Sequence, residues 1–262
     1  MAKRWTKEEE KFFKKELIDL YVIKNLSLKE VATILSINQS AVFQRLKRLR
    51  IDITPEKKKH YRNKRIDLVI PKKYSKELAE LIGIMLGDGS LTHFQVVVTL
   101  GSKEYSYAEH VRDLMNTIFN VQAKIAVRST GYNDVYFGST EVSLWLQEQG
   151  LVFNKVKEQV DVPHWVFKDK AYMKACLRGF FDTDGSLYKL RFGSQISFTN
   201  YSTPLLHSLR YMLFELQYNP SRLSSHKVYI TKKDDILKFF REIQPKNKKH
   251  VERFKAIFAS VV

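Results

Sequence analysis

Two apolar helical runs in this chain end alike. "ELAELIGIMLGDGSL" spans Glu77–Leu91 and "ACLRGFFDTDGSL" spans Ala175–Leu187. The hydrophobic pattern around them also repeats. "LVIP" (68–71) and "VDVP" (160–163) precede the two helices, and β-rich stretches follow, "FQVVVTL" (94–100) and "YKLRFGSQISFTN" (188–200). Next come amphipathic helices at 107–119 and 203–217, then hairpins at 123–139 and 221–233. Each copy closes with a strand passing into an amphipathic helix, 135–149 against 228–243. Apolar positions change from helical to strand periodicity in the same order in both copies. A repeat of this length predicts a duplicated half-domain rather than a solenoid. "NKKHVERFKAIFASVV" adds one more helix.

The front of the chain follows another pattern, three short helices. Thr6 with Glu9 forms a candidate capping box, and Phe12, Phe13, Leu17, Leu20 and Tyr21 give an apolar face. Ser27 caps a second helix, Leu28 to Leu35, and "SINQS" turns into a third, Ser40 to Arg50. Gln39, Gln44, Arg45, Lys47 and Arg48 cover the polar side of that last helix. The segment resembles a helix-turn-helix, whose final helix reads base edges with such residues; a three-helix bundle with a solvated charged face is the other reading. Residues 52–73 lose periodicity and gather Lys58, Lys59, Arg62, Lys64 and Arg65 around Tyr61. They read as a linker laid along phosphates, or as a solvated linker with no partner. The domain expectation is therefore 1–51 helical, 52–73 linker, 74–159 first half and 160–262 second half.

Charge sharpens this picture. The 262 residues carry a net charge of +17, which in a folded chain points first to a polyanion. Residues 1–73 hold 20 Lys/Arg against 9 Asp/Glu, while 74–262 hold 25 against 19, so the front is the denser in positive charge. The single cysteine, Cys176, excludes a disulfide framework and a Cys-clustered zinc site. "MAKRWTKEEE" has no apolar core of a secretory signal, and no apolar run reaches spanning length. The expectation is a soluble intracellular protein, cytoplasmic or nucleoid-associated, or organellar in a eukaryote.

Asp88 and Asp184 close the two apolar helices. Asp-Gly-Ser alone is a common turn, with Gly as an ordinary left-handed cap. A calcium loop fails because Phe180 would occupy its first ligand position. A carboxylate at a helix C-terminus faces the negative end of the macrodipole. Two of them at matching points of a repeat suggest a cation, and Mg²⁺ suits such oxygen ligands. Gly83 and Gly87, with Gly179 and Thr183 in the matching places, are small enough to let the helices approach.

"LIGIMLGDG" (81–89) and "LRGFFDTDG" (177–185) resemble the LAGLIDADG motif of homing endonucleases, and the resemblance covers 68–262. It implies an α+β fold of two αββαββα halves, with motif helices packed on the symmetry axis. Four-stranded antiparallel sheets would form a saddle over double-stranded DNA, after a small all-α module. It implies a monomer that hydrolyses phosphodiesters with Mg²⁺ or Mn²⁺ and cuts both strands. By resemblance Asp88 and Asp184 are metal-binding and catalytic, with the backbone of Gly87 and Thr183 beside them. Asp182 matches an earlier acidic position, but Leu86 stands there in the first copy, so it receives no role. Lys233, beside Lys232, is the candidate for positioning water, although a phosphate contact or helix-start solvation is equally open; Ser139 and Thr140 stand there in the first copy.

Alternate strand residues would read sequence: Gln95, Thr99, Lys124, Arg128, Lys189, Arg191, Gln195, Ser197, Thr199, Arg222, His226 and Lys227. A one-residue register change would invert that set. The rival readings are a DNA-binding transcription regulator that does not cleave and an intron RNA maturase. An intein is not expected, since the chain opens with Met and ends in "FASVV".

Overall fold

The computed structural model describes residues 6–24, 26–51 and 67–259. The chain divides into two compact units, residues 1–65 and 66–262. Lys58, Lys59, Arg62, Lys64 and Arg65 lie outside the described residues.

In the front unit Thr6 and Glu9 cap α1 (Lys7–Leu17) reciprocally, with Thr6 N–H donating to Glu9 Oε2 at 2.8 Å. The helix then widens into a π-helical turn over Ile18–Ile23, where the pattern predicts a continuous α-helix. Ser27 and Glu30 make the same box for α2 (Leu28–Ile34). The Asn38 side chain accepts from Ala41 N at 2.7 Å to start α3 (Gln39–Arg48). Leu17, Leu20, Tyr21, Val31, Ala32, Val42, Leu46, Leu49 and Ile51 form one core. Each of the three helices thus starts on a side-chain cap, and one small apolar cluster holds them together.

The second unit repeats its elements. Its first half runs α4 (Lys76–Leu86), β1 (Gly89–Leu91), β2 (Gln95–Gly101), α5 (Tyr105–Phe119), β3 (Lys124–Val127), β4 (Tyr132–Gly138) and α6 (Thr140–Glu148). The second half runs α7 (Lys170–Asp184), β5 (Gly185–Lys189), β6 (Ser194–Thr199), α8 (Thr203–Glu215), β7 (Lys227–Ile230) and α9 (Lys233–Ile243), and α10 (Lys248–Phe258) follows. The first sheet is antiparallel in the order β1-β2-β4-β3, and the second is β5-β6-β7. Alternation sends Val96, Val98, Leu100, Val135 and Phe137 into the core of the first half, and Leu187, Ile196, Phe198, Val228 and Ile230 into that of the second.

The second sheet has three strands among the described residues, where the resemblance implies four. Ser221 explains the loss. Its carbonyl accepts from Arg210 Nε at 3.0 Å, and its hydroxyl, not its carbonyl, accepts from Tyr229 N–H. With the backbone acceptor taken, the ladder shrinks to Ser221 N–H on Tyr229 O and an isolated bridge between Ser224 and Lys227.

α4 and α7 meet backbone to backbone. A Cβ on Gly83 would collide with the Cys176 carbonyl and lie 2.8 Å from Phe180 N. A Cβ on Gly179 would collide with the Glu80 carbonyl and lie 2.9 Å from Ile84 N. The two contacts are the same pair seen from either side of a pseudo-two-fold axis. Around this seam a single hydrophobic cluster joins both halves.

Candidate active site

Seating the helices this closely brings their C-terminal ends together. α4 stops at Leu86 and Asp88 lies two residues further on, whereas Asp184 is the last residue of α7. Neither flanking glycine is a left-handed cap: Gly87 has φ −79° and Gly185 has φ −80°. A Cβ on Gly87 would stand 3.5 Å from Asp184 Cγ, so the first helix end abuts the second carboxylate. Burial, reinforced by repulsion from Asp184, pushes the Asp88 carboxyl up to about 6. Burial also raises Asp184, while Lys155, a hydrogen bond from Asn200 and Lys249 pull the other way. Asn200 Nδ2 donates to Asp184 Oδ2 at 3.2 Å. The pair is therefore an electrostatically uncomfortable cluster, most easily relieved by a cation.

Two lysines that periodicity does not reveal stand there. Lys155, from the loop joining the halves, donates to the Met85 carbonyl at 3.2 Å and to the Gly87 carbonyl. Burial lowers its pKa, against the attraction of Asp184 and Asp88. Lys249, on α10, pairs with Glu104 at 2.7 Å and acts on both aspartates. The Glu104 carboxylate also accepts from Asn247 Nδ2 at 2.6 Å and Gly101 N–H at 2.7 Å. Burial alone would raise Glu104, but these partners hold it below its ordinary range.

Asp182 has a structural post. Fully buried, it accepts from Lys246 N–H at 2.8 Å and Asn247 N–H at 3.1 Å, tying α7 to the start of α10. Lys233 is exposed at the first residue of α9, where α6 has Thr140, and Ser139, matching Lys232, caps α6 by accepting from Val142 N–H at 3.2 Å. None of these is among the groups acting on the aspartates. Thr183 is buried, its hydroxyl donating to the Gly179 and Phe180 carbonyls at 3.0 Å.

The sequence profile of the LAGLIDADG-like domain matches residues 75–156 and, a second time, 171–244. The chain belongs to that family. Among curated proteins, the glutamine–fructose-6-phosphate aminotransferase of Methanocaldococcus jannaschii is 26% identical over 212 residues, which is 76% of this chain and 18% of that protein. The chain spans less than a fifth of the length of the curated relatives it matches. Among solved structures it is similar to the N-terminal LAGLIDADG domain of DUF199/WhiA, with 21% identity, 69% of this chain and 89% of that chain covered, and a TM-score of 0.47. It is also similar to I-DmoI in complex with DNA and Mn, with 19% identity, coverage of 64% and 96%, and a TM-score of 0.46.

Strand register in this LAGLIDADG-like unit assigns the predicted reading residues to faces. Gln95, Thr99, Lys124 and Arg128 share the first sheet's open face, opposite its core side. Gln195, Ser197, Thr199 and Lys227 share that of the second. Lys189 falls on the register of buried Leu187, at the strand end. Arg191 lies in the β5–β6 turn with its guanidinium 5.2 Å from the Phe192 ring centre. Arg222 is exposed outside any strand, as is His226, and Lys232 is the residue before α9. In the front unit Gln39, Gln44, Lys47 and Arg48 are exposed on α3, whereas Arg45 lies 5.4 Å over the Phe13 ring. Among the described residues no helix is long and apolar enough to cross a membrane.

Proposed function

We propose that this protein is a site-specific DNA endonuclease making a double-strand cut by divalent-metal-dependent phosphodiester hydrolysis, acting as a monomer. The observation that carries the reading is the half-buried pair Asp88 and Asp184, brought together at the meeting ends of α4 and α7. Their mutual repulsion has no evident use in folding.

The donors suit Mg²⁺ or Mn²⁺. No group of three or more His, Cys, Asp or Glu side chains is gathered among the described residues, but Mg²⁺ commonly takes one or two carboxylates and completes its shell with water and phosphate. Asp88 and Asp184 would hold it, with the carbonyls of Gly87 and Thr183 beside them. A bound ion supplies Lewis acidity and a more acidic water. The chain's own residues do the rest. Both carboxylates must be ionised, which places Asp88 on its acidic limb near pH 6. Lys155 Nζ, fixed on the Gly87 carbonyl, sets a positive charge where phosphate oxygens gather charge, and Glu104 steers Lys249 toward the same place. The duplex lies along the open sheet faces, where Gln95, Lys124, Arg128, Gln195 and Lys227 are presented. Arg191, Arg222, Lys232 and Lys233 extend this surface as phosphate contacts, and α3 with the basic segment 52–73 adds a second, separate contact.

One observation favours a second reading, a DNA-binding regulator that does not cleave. Lys155 already offsets the carboxylate charge from within the chain. Incubation of a randomised DNA library with Mg²⁺ separates the two. We expect double-strand cutting by the wild type, and its loss by about a thousandfold, ~4 kcal/mol of barrier, in Asp88→Asn and in Asp184→Asn, with binding retained. Tight binding without a single nick by wild type establishes the regulator instead. Undiminished cutting by either variant refutes the site assignment.

A further inference from the structure

The first sheet carries an acidic residue on the face proposed to meet DNA. Asp134 sits mid-strand in β4, between Thr99 of β2 and Ala126 of β3. It is only 8% exposed. Thr99 Oγ1 donates to its Oδ1 at 2.8 Å, and Arg128 donates to its Oδ2 from both Nε and a terminal nitrogen. The Arg128 side chain is 53% exposed. The second sheet lacks this device: Lys227 stands opposite Thr199 there, as Asp134 stands opposite Thr99, and no acidic residue occupies that open face.

A carboxylate on a polyanion-binding face weakens binding by repelling phosphate, so its presence calls for a reason. The geometry points to Asp134 as the positioning residue for Arg128, which we infer reads a guanine in the major groove. Arg128 lies one pair diagonally from Asp134, and small Ala126 leaves room for the guanidinium to lie across the sheet. One edge of its planar fork is bound by the carboxylate. The remaining N–H groups form the pair that matches guanine O6 and N7. Fixing a long side chain before contact removes ordering entropy that binding would otherwise cost. The adjacent negative charge also disfavours use of Arg128 as an unspecific phosphate clamp.

This inference rests on the reading that DNA lies on the open sheet faces. The test is selection from a randomised duplex in EDTA, without cleavage, followed by sequencing, for wild type, Arg128→Lys and the isosteric Asp134→Asn. Wild type should prefer guanine at one base pair in one half-site. Arg128→Lys should lower that preference about tenfold to a hundredfold. Asp134→Asn should lower the same preference by about fivefold or more, leaving the other positions and the melting temperature unchanged. An Asp134→Asn profile identical to wild type, or erosion shared equally by all positions, overturns the inference while leaving DNA reading intact. Failure of wild type to select any sequence overturns both.

Discussion

The two halves agree where their backbones touch and diverge where side chains work. Gly83 and Gly179 occupy matching positions and meet matching atoms of the opposite helix. Gly89 and Gly185 likewise press against Met85 and Phe181, where a Cβ would collide. Away from the seam the match ends. Asn200 donates to Asp184, while the matching register position beside Asp88 is Leu100. Asp134 matches Lys227 across the pseudo-symmetry, and one sheet has four strands while the other has three among the described residues. Steric fit at a close helix crossing tolerates no drift, because the neighbouring atoms are main chain and cannot rotate away. Side chains on a solvent-facing sheet carry no such constraint.

Breaking the shared part should cost most. Gly83→Val and Gly179→Val should each destabilise the second unit by on the order of 4 kcal/mol or more, a large part of a typical domain's stability. Chemical denaturation showing a mild loss for one and a severe loss for the other would mean the seam is not reciprocal.

The next effect concerns pH. The Asp88 carboxyl is raised from 3.8 to about 6, chiefly by burial and then by Asp184. Between about pH 4 and pH 6 the folded chain therefore holds a proton that the unfolded chain has released. Stability without metal should fall as pH rises through that window, with Asp184, also raised, adding to the fall and Asp182, raised to about 7, extending it. Asp88→Asn should remove its own share of the slope, leaving that of Asp184 and Asp182, and stabilise the metal-free protein near pH 7.5 by on the order of 2 kcal/mol, read from urea midpoints across pH. The same variant is expected to lose cleavage, so stability and activity should move in opposite directions.

The smallest change makes the halves more alike. Asn200→Leu removes the donor to Asp184 and copies Leu100. We expect a loss of about 1 kcal/mol and an upward shift of the acid limb of cleavage. A pH profile that does not move would assign Asn200 to packing alone.

Much of this was legible in the chain because it is written locally. Capping boxes at Thr6 and Ser27 and the doubled order of elements are short-range patterns. Small residues four apart, Gly83 with Gly87 and Gly179 with Thr183, likewise announce a close helix contact. The rest depends on distant segments. Lys155 reaches Gly87 across the connection between halves, and Asp182 meets amides of Lys246 and Asn247 far along the chain. No periodicity marks a loop lysine as a neighbour of a helix end. Strand faces depend on register, which is why Arg128 and Lys227 stand on open faces while Lys189 does not. Ser221, whose hydroxyl replaces a backbone carbonyl in the ladder, is an ordinary residue by composition.

The backbone seam also bears on how such a protein can be taken apart and reassembled. Glycine against main chain does not discriminate between partners, so the crossing itself would accept a half from another relative. Discrimination falls to side-chain pairs between the halves, the most buried of which centres on Glu80 of α4. This buried carboxylate accepts from Arg178 of α7 and shares a 2.8 Å hydrogen bond with His110 of α5. Burial would raise it, but His110 and Arg178 hold it below its ordinary range. A transplanted second half without Arg178 would strand that charge in the interior. Compatibility between halves thus rests on matched side-chain pairs, Glu80 with Arg178 and Glu104 with Lys249 and Asn247, rather than on the glycines of the crossing.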